Sequence, residues 1–280
     1  MLLELAIADA YSAGFKYSDP TFVLAYNDLR GYVQHPLDNL KPGCYTDDTQ
    51  MSIAIAEILV ARQPLICEFL ANSWVTAFKR DMRSGYSPSF YDFLAQVKDG
   101  NEFLNKIKPY SDKSGAAMRA APIGILPTVE QVIKASITQA AITHNTPDGI
   151  NAAIAVALVS HYFIYRLGKK ADLDEFLTPY LSAKWLKPWQ GEVREQGWMS
   201  VRAAITAIIA NDRLSQLLQD CIAFTGEVNT VAAIAISAAS CSEEYQQDLP
   251  QHLIDNLENR EYGRDYIIGL DRKLMSLVKK

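Results

Sequence analysis

The chain has 280 residues, 49% of them hydrophobic and 21% charged, enough to bury one large core or two small ones. Its net charge of -5 comes with no basic stripe, so a nucleic-acid partner is not expected; an anionic ligand held by backbone amides and helix N-termini stays open. The most apolar stretch, Ala152 to Val159, is far shorter than the ~20 residues a membrane helix needs, so no membrane association is expected.

Taken in order, the chain begins Met1-Leu2-Leu3-Glu4, without a basic segment ahead of the apolar residues, and a targeting peptide is therefore not expected. Helical periodicity with recurrent alanines predicts helices over 2–13, 49–62, 66–79, 91–98, 103–107, 116–126 and 129–141. Further helices are predicted over 149–168, 173–180, 198–210, 213–223 and 230–240, with two more near 249–257 and 268–278. No segment shows the β-branched alternation of a sheet and no repeat of fixed period occurs, so the expected fold is all-α, a single domain over 1–280. Lys41-Pro42-Gly43 and Tyr86-Ser87-Pro88 read as loops and not as domain boundaries. The polar and aromatic run 26–36 reads either as a functional loop leading into the next motif or as a plain surface connection. Segment 245–259, rich in Gln, Glu and Asp, reads as surface. Cys44, Cys67, Cys221 and Cys241 lack metal or redox spacing and read as reduced thiols of a cytoplasmic protein.

Chemistry concentrates at Tyr45-Thr46-Asp47-Asp48-Thr49, where two carboxylates between two hydroxyls directly precede a helical segment. Oxygen-only donors packed this closely suit Mg²⁺ or Mn²⁺ and not zinc. The same residues also make a good helix start, because Thr caps free N–H groups and carboxylates oppose the helix dipole. Gly226-Glu227-Val228-Asn229-Thr230 repeats the pattern before another helical segment, so two distant helix starts are candidates to converge on one cation site.

Together with Ala8-Asp9-Ala10, the run Ser114 to Gly124, and Thr143-His144, these motifs occur in an order that resembles the ADP-ribosylglycohydrolases, the family of the dinitrogenase reductase-activating glycohydrolase and the ADP-ribosyl-acceptor hydrolases. The resemblance runs from about Leu5 to Ala239. It implies that Thr46, Asp47 and Asp48 form one set of Mg²⁺ ligands and Glu227, Asn229 and Thr230 a second, with Asp47 and Asp48 as catalytic carboxylates. It implies that Ser114, Gly115, Ala116 and Met118 lie on a phosphate-contacting turn and that His144 stands near bound ADP-ribose. Arg119 is read equally as part of that turn or as a surface salt-bridge residue, Asp9 as support for the ligands, and His161 and His252 as structural.

The chain departs from the family pattern at three positions. Glu227 and Asn229 replace aspartates, and Lys16 stands where the resemblance places a catalytic Glu. Glu to Lys and Asp to Asn together make the site three charges more positive, about what one divalent ion would supply. The expectation is that at least one metal is lost, with the Lys16 ammonium either nearby or turned to solvent. Two functions follow: a Mg-dependent hydrolase releasing ADP-ribose from a protein, nucleic acid or small molecule, or a non-catalytic binder of ADP-ribose or of a protein partner in immunity or regulation.

Overall fold

The structure is a computed structural model that describes residues 1–278; Lys279 and Lys280 lie outside the described residues. Helices follow one another as α1 (Leu2–Ala13), α2 (Pro20–Tyr26), α3 (Asp47–Val60), α4 (Cys67–Arg80), α5 (Pro88–Gln96), α6 (Gly100–Lys106), α7 (Gly115–Met118) and α8 (Val129–Ala141). After them come α9 (Pro147–Ile164), α10 (Leu173–Leu177), α11 (Gly197–Ala210), α12 (Leu214–Ala223), α13 (Val228–Ala239), α14 (Gln251–Asp255) and α15 (Arg264–Met275). Short 3₁₀ turns lie between some of them. The described residues contain no extended strand, only isolated bridges such as Tyr110 with His144 and Val193 with Gly226. The fold is all-α, as the periodicity predicts.

The capping chemistry explains most boundaries. Asp99, Thr128 and Thr146 each accept from a backbone N–H two or three residues into the helix they start, and Pro147 occupies the first turn of α9, where its missing N–H costs nothing. Helix α3 ends where Arg62 takes φ +54 and the Gln63 N–H reaches back to the Ile58 carbonyl. Helix α9 ends the same way, with Arg166 at φ +53 and the Leu167 N–H on the Tyr162 carbonyl. Both closures use the left-handed residue that normally favours glycine, which is why the periodicity alone overran the end of α9 by four residues.

Three expectations are corrected. The helix expected over 116–126 is split, because Pro122 has no N–H to donate and disfavours helical backbone at Ala121; a single turn, α7, is followed by a 3₁₀ turn over Ala121–Ile125. Helix α2 was not expected, although Asp19 accepts from the Thr21 N–H and Pro20 opens the helix. Segment 245–259 is not simply surface: Tyr245, Leu253 and Leu257 are buried, the Tyr245 hydroxyl donates to the Ile208 carbonyl, and α14 lies within it.

Helix α13 is the axis. All twelve of its residues are buried, and α1, α3, α9, α11 and α12 pack around it. Alanines at 232, 233, 235, 238 and 239 keep its girth small, so neighbours approach closely and pack densely. Helix α15 docks on α1 and α3 through buried Ile267, Leu270 and Leu274, so most of the C-terminal tail belongs to the core. One continuous apolar core joins these helices. The consequence for function is that the N-terminal ends of α3, α7 and α13 open towards the same cavity as the end of α1, and helix N-termini favour negative charge.

The 3₁₀ turn packs against α9 so tightly that a Cβ at Gly124 would stand 2.7 Å from the His161 nitrogen and 2.8 Å from the Ala157 carbonyl oxygen. Gly124→Ala is expected to destabilise the fold by about 1–3 kcal/mol, the cost of overpacking against backbone, read from the urea midpoint.

Candidate active site

Asp9, on the buried face of α1, organises the first motif. Its carboxylate accepts from the Thr46 N–H (2.8 Å), the Thr46 hydroxyl (2.7 Å), the Thr49 N–H (3.2 Å) and the Thr49 hydroxyl (2.6 Å). Burial alone raises its pKa, and the four donors oppose that rise. Asp9 thus fixes both Thr46 and Thr49, the latter outside the candidate ligand set of the first motif. Thr46 and Thr49 are thereby committed as donors to Asp9.

Fixing Thr46 and Thr49 presents Asp47 and Asp48, both buried, at the start of α3. Burial raises both pKa values. For Asp47 the Lys16 ammonium opposes it, and the result is about 7; Asp48 is held well above the usual carboxylate range, with Asp9 and Asp47 adding repulsion. Gly85, at φ +106, lies against this pair, and a Cβ there would overlap the Asp47 carboxylate.

The second motif meets the first. Asn229 donates from Nδ2 to Asp48 Oδ2 at 3.0 Å, bridging α13 to α3. Glu227 stands 2.6 Å from the Lys16 Nζ. Burial by itself pulls the Lys16 pKa down, but Glu227 and then Asp47 outweigh it and raise the pKa, so the ammonium stays charged. Lys16 is not turned to solvent: its side chain is 29% exposed, through the cavity mouth. The loop over 26–36 holds it there. His35 Nδ1 accepts from the Leu37 and Asp38 N–H groups, so Nε2 carries the proton and donates to the Lys16 carbonyl at 2.7 Å.

Opposite these groups lies the Ser114 turn. Ser114, Gly115 and Met118 line the cavity; Ala116 does not, being packed into the core. Arg119 is no surface residue. Its guanidinium is fully buried over the Trp74 ring at 4.0 Å, bonded to Gln139 Oε1 and Thr143 Oγ1, both at 2.7 Å. Burial lowers its pKa to about 9. Because Thr143 Oγ1 accepts from Arg119, its own proton goes to His144 Nδ1, 2.7 Å away, leaving Nε2–H as the His144 donor beside Gly115. Burial, then Arg119, push the His144 pKa down to about 3, so the ring is neutral. His161 bonds to the Gly124 carbonyl and His252 to the Leu29 carbonyl, both structural as read.

The cavity between these walls has a volume of about 720 Å³, within the range of small-molecule sites. Asp47, Asp48 and Glu227 line one side, Ser114, Gly115 and His144 another. Asn229, Thr230 and Thr46 are not part of its wall. Sequence reading missed Tyr86, Phe90 and Phe93, and Lys106 and Lys108 at the end of α6; their only signal was the Ser84-Gly85-Tyr86 turn, since nothing local joins 86–93 to 106–108. The residues present fit one hard cation by donor chemistry: Asp48 Oδ1, Asn229 Oδ1 and Thr230 Oγ1 are buried oxygens without a hydrogen-bond partner. Among the described residues no three carboxylates, imidazoles or thiols form a ligand cluster, so such a cation would lean on amide and hydroxyl oxygens beside Asp48.

The fold and the cavity thus define an all-helical protein with a carboxylate-lined, ligand-sized site at converging helix N-termini. The ADP-ribosylglycohydrolase family model matches residues 1–280, and the chain belongs to that family. It is 29% identical over 143 residues to ADP-ribosylhydrolase ARH3 of Xenopus tropicalis, covering 48% of this chain and 41% of the relative. A match to a protein of Archaeoglobus fulgidus covers 58% of that relative, so the chain spans about half the length of these two curated relatives. Longer matches run to the ADP-ribosylarginine hydrolase Tri1 of Serratia proteamaculans (22% identity, 93% of this chain, 75% of the relative) and to the ADP-ribosyl-[dinitrogen reductase] glycohydrolase of Rhodospirillum rubrum (25%, 91% and 88%). A solved structure described as an ADP-ribosylglycohydrolase-related protein complex superposes with a TM-score of 0.77 at 18% identity, covering 99% of this chain and 96% of that one, which establishes the fold.

Two outcomes are expected. Gly85→Ala places a side chain on backbone at φ +106 and against Asp47, and should lower stability by at least about 1 kcal/mol in urea unfolding; the loss should shrink in an Asp47→Gly background. His144 has a folded pKa of about 3 against about 6.5 unfolded, so the unfolded chain binds the extra proton between these values. Its contribution is complete above pH 6.5 and is lost as pH falls towards 3. His144→Asn should therefore lose less stability than wild type between pH 7 and 5, compared by melting temperature.

Proposed function

We propose that the protein is an ADP-ribosyl hydrolase, releasing ADP-ribose from an N- or O-glycosidic linkage to an acceptor. The carrying observation is one cavity with Asp47, Asp48 and Glu227 on one side and the Ser114 turn with His144 on another, large enough for a nucleotide ligand. In this reading the Gly115 N–H at the start of α7 and the His144 Nε2–H bind the phosphate and ribose end, donors directed at an anion. Asp47 and Asp48 face the anomeric carbon. Water forms its bond to that carbon as the glycosidic bond breaks and Asp47 takes the proton from water; an N-linked guanidinium acceptor departs as the neutral guanidine, and an O-linked acceptor departs with a proton taken from solvent. Met118 packs against the ligand, and the buried Arg119, which also lines the cavity, positions His144 through Thr143.

A Mg²⁺ or Mn²⁺ ion held by Asp48, Asn229 and Thr230 would supply positive charge that orients the ribose hydroxyls. Thr46, whose hydroxyl gives its proton to Asp9, would keep its oxygen lone pairs for such a site. The four free thiols support a reducing, cytoplasmic setting.

A second reading, a binder of ADP-ribose or of an ADP-ribosylated partner without turnover, is favoured by the Lys16–Glu227 pair, which ties up a pocket carboxylate. Release of ADP-ribose from ADP-ribosylated arginine and serine peptides, with and without Mg²⁺, separates the two. Hydrolysis by wild type, with Asp47→Asn slower by about 100-fold or more at unchanged fold, supports the enzyme. Calorimetric binding of ADP-ribose with no release from either peptide supports the binder.

A further inference from the structure

Resting on the proposed cation site, we propose that Lys16 is a built-in cation of this pocket: it takes Glu227 out of the ligand set and leaves room for a single divalent ion, on the oxygens of Asp48, Asn229 and Thr230. The carboxylates divide by partner. Asp9 is satisfied by four donors from Thr46 and Thr49. Glu227 is paired with the Lys16 ammonium at 2.6 Å. Three buried oxygens on α3 and α13 remain without a partner: Asp48 Oδ1, Asn229 Oδ1, whose amide nitrogen bonds to the same Asp48 carboxylate, and Thr230 Oγ1, next to Asn229 in the chain, each residue 1% exposed. Oxygen donors this deeply buried and unpaired call for a positive charge or a donor that the protein itself does not provide.

Lys16 is held by backbone on both sides, so its placement is not that of a loose surface lysine. The Tyr17 N–H donates to the Gly226 carbonyl at 2.9 Å, which stitches the end of α1 to the residue before Glu227. Tyr17 itself sits at φ +52, unusual for an aromatic residue, and Gly226 at φ +85 lets the Glu227 loop lie against the Val193 carbonyl, where a Cβ would overlap. The Lys16 carbonyl is held by His35. One strained residue, one glycine in the left-handed region and two hydrogen bonds therefore hold this ammonium beside this carboxylate. A second divalent ion placed among Asp47 and Glu227 would stand beside that fixed positive charge and be repelled by it.

The test is Mn²⁺ binding to the full chain, read by calorimetry and by the free-Mn²⁺ spin-resonance signal, so that no turnover is needed. Wild type is expected to bind one ion, and Asp48→Asn to weaken it at least tenfold. Lys16→Met keeps the aliphatic stem and removes the charge; it should bind a second ion, while Lys16→Arg should keep one. Lys16→Ala repeats the measurement should the methionine pack differently, with circular dichroism confirming the fold of each. Two ions in wild type, or the same count in wild type, Lys16→Met and Lys16→Ala, would overturn the assignment. No ion in any variant would overturn it together with the cation site, whereas the ADP-ribosyl hydrolase reading would still stand or fall on peptide hydrolysis.

Discussion

Asp9 is the point on which the site depends. A carboxylate with no access to water is costly unless each of its lone pairs is met, and here two threonines three residues apart meet it with both backbone and hydroxyl donors. That geometry exists only if the start of α3 has a free N-terminal turn, because N–H groups inside a helix are already used. The requirement of Asp9 and the vacancy of the helix start therefore satisfy one another. As a by-product, Asp47 and Asp48, between the two threonines, are forced to face the cavity.

The same economy recurs on the other wall. Arg119 is buried and has no carboxylate partner; it is stabilised by the face of Trp74 and by three neutral oxygens, two of Gln139 and one of Thr143. Its bond to the Thr143 hydroxyl sets the His144 tautomer, while burial first and the Arg119 charge second keep that ring neutral. Arg119, read in sequence either as part of the Ser114 turn or as a surface ion-pair residue, is instead a buried residue of the cavity wall that decides which His144 nitrogen carries a proton.

The cavity also carries a balance of charge that no single motif describes. Asp47, Asp48 and Glu227 gather at positive helix ends, and Lys16 offsets one of them. Glu227 and Lys16 are 211 positions apart in the chain (227 minus 16), yet the ion pair is short because α1 and α13 pack side by side. The expectation that Lys16 would either join the site or turn outward is resolved by packing: the α1 end is stitched to Gly226, and outward is not available to it.

What the sequence determined by itself was whatever local chemistry controls: the all-α class, the helices whose periodicity runs long, the two oxygen-rich helix starts, and the family those motifs spell out in order. Pattern of 3.6 residues and cap residues are properties of neighbours in the chain, so they are legible there. Tertiary structure alone decided which of the motif residues face the ligand. Ala116 and Arg119 belong to the same short run as Ser114, but one packs in the core and the other is buried on Trp74. Thr46 and Thr49 donate to Asp9, Asn229 bonds to Asp48, and Phe90, Phe93, Lys106 and Lys108 reach the cavity from α5, α6 and the loop after α6, none of which carries a site motif. Each of these depends on a partner dozens to hundreds of residues away, and a side chain's direction is set by that partner and by the space left after packing, neither of which is written in its own neighbourhood.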